Sequence, residues 1–384
     1  MTEILDEAAR RLENEKFSDQ PEIRAELEQV IYESYEGQGK YDLARKHLRE
    51  YVDLQSKLDR EDDSRALSVS AAQAALLFEQ GDMSKSEKIF RQLLPLMRNE
   101  KQKGKIKADI LVNTLNTFGY LRRTQGDSKE AELLFREALT LGAQLGTGTM
   151  RSTLASALAD QGKFEEALQT ARDAVAEFRQ RGETNSDSFG FALTILGGFL
   201  TEKGNFAEAD ANLREAETIF RKLLDASNLW LGDNLRNQAI SFYEQGRYAE
   251  SLSKITETLK IYRESFGPYY DNYPTALIIN GLILAKTGQA QEGEKILREA
   301  VKIRTESLPK EHYWVAQANS ALGECFTIEK RYNEAEPLLL ESYETLKSSQ
   351  GASNPRTQIA LQRLITLYEN WGRSDAADAY RAKL

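Results

Sequence analysis

The chain has 384 residues, of which 41% are hydrophobic and 29% are charged, and its formal net charge is −9. The acidic balance argues against nucleic-acid binding, which calls for a basic stripe. The single cysteine, Cys325, excludes an intrachain disulfide and a cysteine-based zinc cluster. No run of 18 apolar residues occurs and Met1–Glu7 lacks the basic and apolar regions of a signal peptide, so neither a transmembrane helix nor a leader is predicted.

The first predicted element is a helix over residues 3–15, within a leading segment of residues 1–20. Its apolar side chains recur at helical spacing on one face and are Ile4, Leu5, Ala8 and Leu12. We expect this helix to cap an array of repeated units that occupies residues 21–384, because the end units of such arrays need a covered face.

A short turn sequence recurs through the rest of the chain: a glycine, a polar residue, often an aromatic residue, and a small residue further on. It is clearest at Gly204-Asn205-Phe206, and the turns start at or near residues 39, 81, 126, 162, 204, 246, 288, 330 and 372. The spacing is 42 residues except for one step of 45 and one of 36. A fixed period of this length predicts a repeat architecture.

Helical patterns flank each turn and predict a hairpin of two helices, A and B. Around Gly204, apolar and small residues recur every three or four positions on both sides, at Phe191, Thr194, Ile195, Gly198 and Phe199 before it and at Phe206, Ala209, Leu213, Ala216 and Phe220 after it. The glycine stands where helix A must stop, since glycine enters the left-handed region freely. The prediction is an all-α fold of nine hairpins, about 18 helices besides the first, wound into a right-handed superhelix.

Two positions of the repeat are nearly always small, which predicts close contact between helices A and B. Seven residues before the turn these are Ala74, Gly119, Ala155, Gly197, Ala239, Gly281 and Gly323, and five residues after it Ala44, Ser86, Ala131, Ala167, Ala209, Ser251, Gly293, Ala335 and Ala377. The period breaks between residues 81 and 162, where we expect the least regular structure. Pro95 in helix B of the second repeat should kink that helix or end it early.

This pattern resembles the tetratricopeptide repeat, in the long form of kinesin light chains and many bacterial proteins. The resemblance implies an inner, concave surface lined by the A helices, with exposed positions 13, 10, 6 and 3 residues before each turn. Such a surface suits a peptide or protein segment, held by asparagines and aromatic anchors. The candidate binding residues it implies are Asn113, Asn116, Tyr120, Arg123, Phe191, Arg236 and Tyr243.

A second candidate surface is the aromatic linker at residues 266–274, with three tyrosines between repeats 6 and 7. Together with Trp230 and Trp314 in neighbouring linkers, it could form a ridge for a partner or for dimerisation. The alternative is packing between successive repeats.

No motif for chemistry is recognisable. Kinase loops, a P-loop and a His-Glu-x-x-His motif do not occur, and the two histidines, His47 and His312, stand in repeats 1 and 8. We therefore predict a non-catalytic protein with no cofactor and no metal. Cys325 is interpreted as a small buried hydrophobe and His312 as a packing residue.

The ends of the chain resemble the repeat region of a group of bacterial serine/threonine kinases. The residues that carry this resemblance are Ile4–Leu12, Asp19–Arg24, Leu308–His312, Ala321–Cys325, Arg331–Tyr343 and Leu367–Gly372. It implies a sensor or regulatory region of such a kinase, cytoplasmic or extracytoplasmic. The alternatives are a stand-alone adaptor and an assembly module that homo-oligomerises.

Overall fold

The structure is a computed structural model that describes residues 2–13, 17, 19–37, 41–57, 63–79, 81–104, 106–142, 147–265 and 272–384. All regular secondary structure within these ranges is helical. The helices are α1 (Thr2–Glu13), α2 (Pro21–Gly37), α3 (Tyr41–Lys57), α4 (Asp63–Glu79), α5 (Met83–Gln102), α6 (Ala108–Thr124), α7 (Ser128–Leu141), α8 (Gly148–Asp160), α9 (Phe164–Arg181), α10 (Asp187–Glu202), α11 (Phe206–Leu223), α12 (Leu229–Glu244), α13 (Tyr248–Ser265), α14 (Tyr273–Lys286), α15 (Ala290–Ser307), α16 (Tyr313–Ile328), α17 (Tyr332–Gln350), α18 (Pro355–Asn370) and α19 (Ser374–Arg381).

The predicted all-α fold is confirmed. Each pair of helices from α2–α3 to α18–α19 brackets one predicted turn, with α1 in front of the first pair. The turn of the first pair, at residues 38–40, lies outside the described residues.

The chain forms two compact units. Unit 1 comprises Met1–Arg123, Glu130–Met150 and Leu223–Asp225, and unit 2 comprises Thr124–Lys129, Arg151–Lys222 and Ala226–Leu384. The main division falls within residues 81–162, where the repeat spacing departs from 42.

The turns end helix A as predicted. At Gly204 the backbone has φ of 82°, and the Asn205 N–H donates to the Leu200 carbonyl at 2.8 Å. This left-handed residue lets the chain satisfy the last carbonyls of the helix before it reverses. Lys330 takes the same conformation, with φ of 62°, although it carries a side chain.

The small residues permit close contact within each hairpin, as predicted. A Cβ atom on Gly197 would lie 2.6 Å from Leu213 Cγ, and one on Gly323 would lie 2.7 Å from Leu339 Cγ. Both distances are shorter than a carbon–carbon contact allows. Larger residues at these positions would force the two helices apart.

In unit 1, α1 packs on the first hairpin and buries Ala9 and Leu12 beside Ile31 and Tyr35 of α2. The predicted end of this helix at residue 15 lies outside the described residues. The Tyr35 hydroxyl donates to Asp6 at 2.9 Å, which fixes α1 on the first hairpin. At the other end, α19 ends at Arg381.

Helix α5 does not end early at Pro95. It continues to Gln102, so the expected early end is wrong. Leu93, Leu94 and Met97 flank the proline and are buried in the core of unit 1, and this packing holds the helix together across the missing backbone donor.

Candidate functional site

Four candidate binding residues follow one face of α6 in unit 1. Asn113, Asn116, Tyr120 and Arg123 are spaced by three or four residues, so they form one stripe. Asn113 is exposed and the other three are half-buried. The Tyr120 ring lies 6.2 Å from the ring of Phe78 in α4, so it also takes part in packing between repeats 2 and 3.

The other three candidates belong to unit 2. Phe191 in α10 is half-buried, and its ring lies 5.5 Å from that of Trp230 at the start of α12. Trp230 also packs 6.4 Å from Phe220. Phe191 is therefore part of the contact between repeats 5 and 6.

Arg236 stands beside a buried carboxylate. Its Nε lies 3.9 Å from Asp233 Oδ1 on the preceding turn of α12. The same Asp233 oxygen accepts hydrogen bonds from the Tyr262 hydroxyl at 2.5 Å and from Asn272 Nδ2 at 2.9 Å. Asp233 thus joins helix α12 to α13 and to the start of α14, with Arg236 supplying a nearby positive charge.

Tyr243 is not exposed, although the tetratricopeptide resemblance implies an exposed side chain at its position. It is only 8% exposed, and its hydroxyl donates to Glu324 Oε1 of α16 at 3.4 Å. The curvature of the array brings α16 towards α12 and covers this side chain. Tyr243 is a structural member of an interior network.

That network, which we call the inner cluster, consists of Tyr243, Lys286, Glu324 and Arg363, one residue from each of four successive A helices. Glu324 accepts from Lys286 Nζ at 2.7 Å and from Arg363 Nε at 2.6 Å. Arg363 Nη1 also donates to Ser320 Oγ at 3.1 Å. The cluster ties repeats 6, 7, 8 and 9 together through polar side chains.

The inner cluster marks the concave side of unit 2. Helix α14 lies between α12 and α16 in the order of A helices, yet Tyr243 and Glu324 touch across it. In a curved stack, side chains two repeats apart approach each other on the inside of the curve.

Electrostatics within the inner cluster are dominated by burial and by the two cations. Burial by itself raises the pKa of Glu324, but the charges of Arg363 and Lys286 outweigh it, so the pKa of this carboxyl lies below its ordinary value. Burial and the Glu324 charge raise the pKa of Tyr243. Glu324 is therefore an anion and Tyr243 a neutral hydroxyl near pH 7.

Lys286 and Arg363 were not among the residues predicted from the sequence. They stand 2 and 9 residues before their turns, whereas Tyr243 and Glu324 stand 3 and 6 residues before theirs. The four residues of the inner cluster thus occupy four different positions of the repeat. Comparing the same position from one repeat to the next therefore does not reveal the cluster.

The proposed aromatic ridge is only partly within the described residues, because residues 266–271 lie outside them. Trp230 packs as described above. Trp314 is half-buried beneath Arg304, whose guanidinium carbon lies 4.5 Å from its ring centroid. Both tryptophans therefore contribute to packing between repeats.

The remaining singled-out side chains are structural. Cys325 is buried, as predicted, and burial raises the pKa of its thiol to about 12. His312 caps α16, with Nδ1 accepting from the Trp314 N–H at 3.2 Å. His47 is buried in unit 1 and lies 2.6 Å from Glu28 Oε2.

Over the ranges that the structure describes, no three His, Cys, Asp or Glu side chains are grouped so that they could hold a metal ion. Within the same ranges, none of the helices combines the length and apolar character needed to cross a membrane.

Family models of the tetratricopeptide repeat match residues 116–182, 190–264 and 272–348, which together are more than half of the chain. The chain is a tetratricopeptide repeat protein. The resemblance predicted from the turn motif is thus confirmed, whereas none of these matches concerns a kinase. No curated protein matches the sequence significantly.

Solved structures similar to this tetratricopeptide repeat protein include a Rap protein complexed with Competence and Sporulation Factor, at 15% identity and a TM-score of 0.57, covering 91% of this chain and 99% of that one. The apo form of the quorum sensor NprR from B. thuringiensis is similar at 14% identity and a TM-score of 0.52, covering 92% and 96%. A putative kinesin light chain from Podosopora anserina has 17% identity and a TM-score of 0.39, covering 53% and 98%.

Proposed function

We propose that this protein is a non-catalytic scaffold that binds a peptide or protein segment on the concave face of its A helices. The observation that carries the proposal is the inner cluster, where donors from three repeats converge on Glu324 of a fourth repeat on the inside of the curve. The Rap structure, which is complexed with Competence and Sporulation Factor, supports the same class of function.

The chemistry of the inner cluster suits a partly polar chain. A guanidinium group has five N–H donors, so Arg363 can keep its bonds to Glu324 and Ser320 while it donates to a ligand carbonyl. Lys286 has 32% of its side chain exposed and can rotate towards a ligand oxygen. An extended segment would offer such oxygens at each residue.

An array of synthetic peptides with randomised sequences tests this proposal. The wild-type chain should select peptides, and Arg363→Gln with Lys286→Met should reduce binding at least about tenfold through the loss of donors. The matched control is Arg221→Gln, which removes an arginine paired with Glu257 on the B helices. The proposal fails if the control loses as much binding as the double variant, or if the double variant binds normally.

The stripe on α6 is a separate proposed contact in unit 1. Asn113→Ala removes an exposed amide without disturbing the core, so helicity should be unchanged while affinity for a selected peptide falls about threefold to tenfold. Equal affinity of wild type and variant for every selected peptide would remove α6 from the binding surface.

The context of the array stays a prediction from the terminal sequences. We propose the regulatory region of a bacterial serine/threonine kinase, in which capture of a segment changes the curvature or self-association of the array. A kinase domain encoded in the same reading frame upstream of Met1 would support this. Its absence would favour the stand-alone adaptor.

Homo-oligomerisation is the alternative of a different class. Light scattering of the purified chain over a hundredfold concentration range measures whether its mass rises through self-association. A constant monomer mass would eliminate the assembly module.

A further inference from the structure

Unit 2 contains a second set of contacts that joins repeats far apart in sequence. Asp160 and Glu202, at the ends of helices A in repeats 4 and 5, meet Tyr313, Gln350 and Arg356 from repeats 8 and 9. We propose that these five residues, which we call the clasp, form a releasable contact. The clasp joins repeats 4 and 5 to repeats 8 and 9 and so closes one turn of the superhelix in unit 2.

An arginine is the centre of the clasp. Arg356 Nε and Nη2 bind the two carboxylate oxygens of Glu202, each at 3.0 Å, and Nη1 donates to the Ala159 carbonyl at 3.3 Å. Its side chain is only 10% exposed and lies 5.0 Å from the centroid of the Tyr313 ring. A two-pronged, partly buried pair of this kind fixes orientation as well as distance.

Asp160 forms the other half of the clasp. Its carboxylate accepts from the Tyr313 hydroxyl, and its backbone carbonyl accepts from Gln350 Nε2 at 2.8 Å. The neighbouring turn fits closely, because a Cβ atom on Gly162 would lie 2.6 Å from the Gln350 carbonyl oxygen. The contact therefore depends on backbone approach as well as on charge.

The clasp differs in kind from the contacts within and between neighbouring repeats. Neighbouring helices bury apolar side chains such as Leu213 and Leu339 in addition to forming ion pairs, whereas the clasp contacts are hydrogen bonds and one ion pair. Its partners are 153 to 197 residues apart in sequence. Each repeat keeps its own core when the clasp opens, so opening costs less than unfolding a hairpin.

Helix α18 links the clasp to the inner cluster. Arg356 and Arg363 are seven residues apart, so they lie on the same face about 10 Å from each other along the helix. Arg356 holds Glu202 of repeat 5, and Arg363 holds Glu324 of repeat 8. A displacement of α18 therefore alters both sets of contacts.

The charge-reversal variant Arg356→Glu tests the clasp in the intact chain without any ligand, so its outcome is independent of the proposed peptide binding. The new carboxylate would face Glu202 and Asp160, and like charges repel. We expect amide hydrogen exchange at residues 157–163 and 350–357 to accelerate about tenfold or more, and the radius of gyration from small-angle X-ray scattering to rise. The double variant Arg356→Glu with Glu202→Arg should restore both values towards wild type.

Arg221→Glu is the matched control, because Arg221 also binds both carboxylate oxygens of a glutamate, Glu257, at 3.0 Å, but joins neighbouring repeats. It should leave exchange at the clasp and the radius of gyration unchanged. Glu202→Gln, which keeps the shape of the side chain, should give a smaller acceleration at the same residues.

Three results would overturn the proposal. The first is unchanged exchange at the clasp in Arg356→Glu, and the second is an equal effect of Arg221→Glu. The third is loss of helical circular dichroism in both Arg356→Glu and Glu202→Gln, since these contacts would then be needed for folding itself and would not be a releasable closure.

Discussion

At the scale of single residues, Lys330 carries an unusual backbone. Its φ of 62° is in the left-handed region that glycine occupies in the other described turns. The Arg331 N–H still donates to the Phe326 carbonyl at 2.9 Å, so the cap forms despite the side chain. The hydrogen bonds of the cap and the packing of the repeat on both sides offset the strain.

Replacing Lys330 with glycine should therefore stabilise the protein. The gain is up to about 1 kcal/mol, because relief of the left-handed strain exceeds the added entropy of the unfolded chain. Urea denaturation followed by circular dichroism measures it. Gly204→Ala is the reciprocal change and should destabilise by a similar amount, and a gain in stability from Gly204→Ala would contradict the explanation.

The thiol of Cys325 should be inert in the folded protein. Its pKa of about 12 leaves a thiolate fraction on the order of one in ten thousand at pH 8. Labelling with a thiol reagent should be slow in buffer and rapid in denaturant. Fast labelling of the native chain would show that α16 opens readily.

At the scale of elements, the distance between the two helices of each hairpin is set by small residues that face each other. The closest case is repeat 7, where a Cβ atom on Gly293 would lie 2.5 Å from the Gly281 carbonyl oxygen. All eight other repeats have alanine or serine at the position of Gly293. Repeat 7 therefore has a tighter crossing of its two helices.

Gly293→Ala should destabilise the protein by about 1–3 kcal/mol, even though alanine favours helix by about 1 kcal/mol in an unstrained position. Ala209→Gly, at the equivalent position of repeat 5, should also destabilise, by about 1 kcal/mol, because there the crossing already accommodates the methyl group. Thermal or urea denaturation compares the two. A stabilising effect of Gly293→Ala would show that the α14–α15 crossing relaxes freely.

Ion pairs between the B helices of neighbouring repeats form a second element-scale pattern. Arg91 pairs with Glu130 in unit 1, and Arg179 with Glu215 and Arg221 with Glu257 in unit 2. All of these arginine side chains are more than a third exposed. Such pairs add about 0–1 kcal/mol each, so they set the register of neighbours more than they stabilise them.

At the scale of the molecule, unit 2 is held by contacts that reach beyond the nearest neighbouring repeat as well as by its local cores. In unit 2, the inner cluster and the clasp connect repeats 4 to 9. The inner cluster depends on the ionised carboxylate of Glu324, whose pKa lies below its ordinary value. Acid should therefore loosen the inner cluster before it disrupts the apolar cores.

The pH dependence of Glu324 has a defined sign. Its folded pKa lies below the unfolded value of about 4.3, so it stabilises the fold above that pH, and the contribution is lost as the pH falls through the folded pKa. Glu324→Gln should cost about 2 kcal/mol at pH 7 and progressively less below about pH 4. Urea midpoints between pH 7 and pH 3 measure the difference.

Glu165→Gln serves as the control for that series, because Glu165 also pairs with a lysine, Lys203, but its side chain is 74% exposed. It should change stability little at any pH. A cost for Glu324→Gln that stays constant down to pH 3 would mean that this carboxylate does not carry the acid sensitivity.

The sequence by itself determined the repeat, the two helices of each hairpin, the left-handed turn between them and the small residues where they cross. These features are local, and helical periodicity places each of their side chains within one hairpin. Tertiary structure alone decided which distant side chains meet: Tyr243 with Glu324, and Arg356 with Glu202. Those contacts depend on the rotation and rise between each repeat and the next. Small differences in this geometry accumulate over several repeats, so no motif within one repeat encodes the contacts.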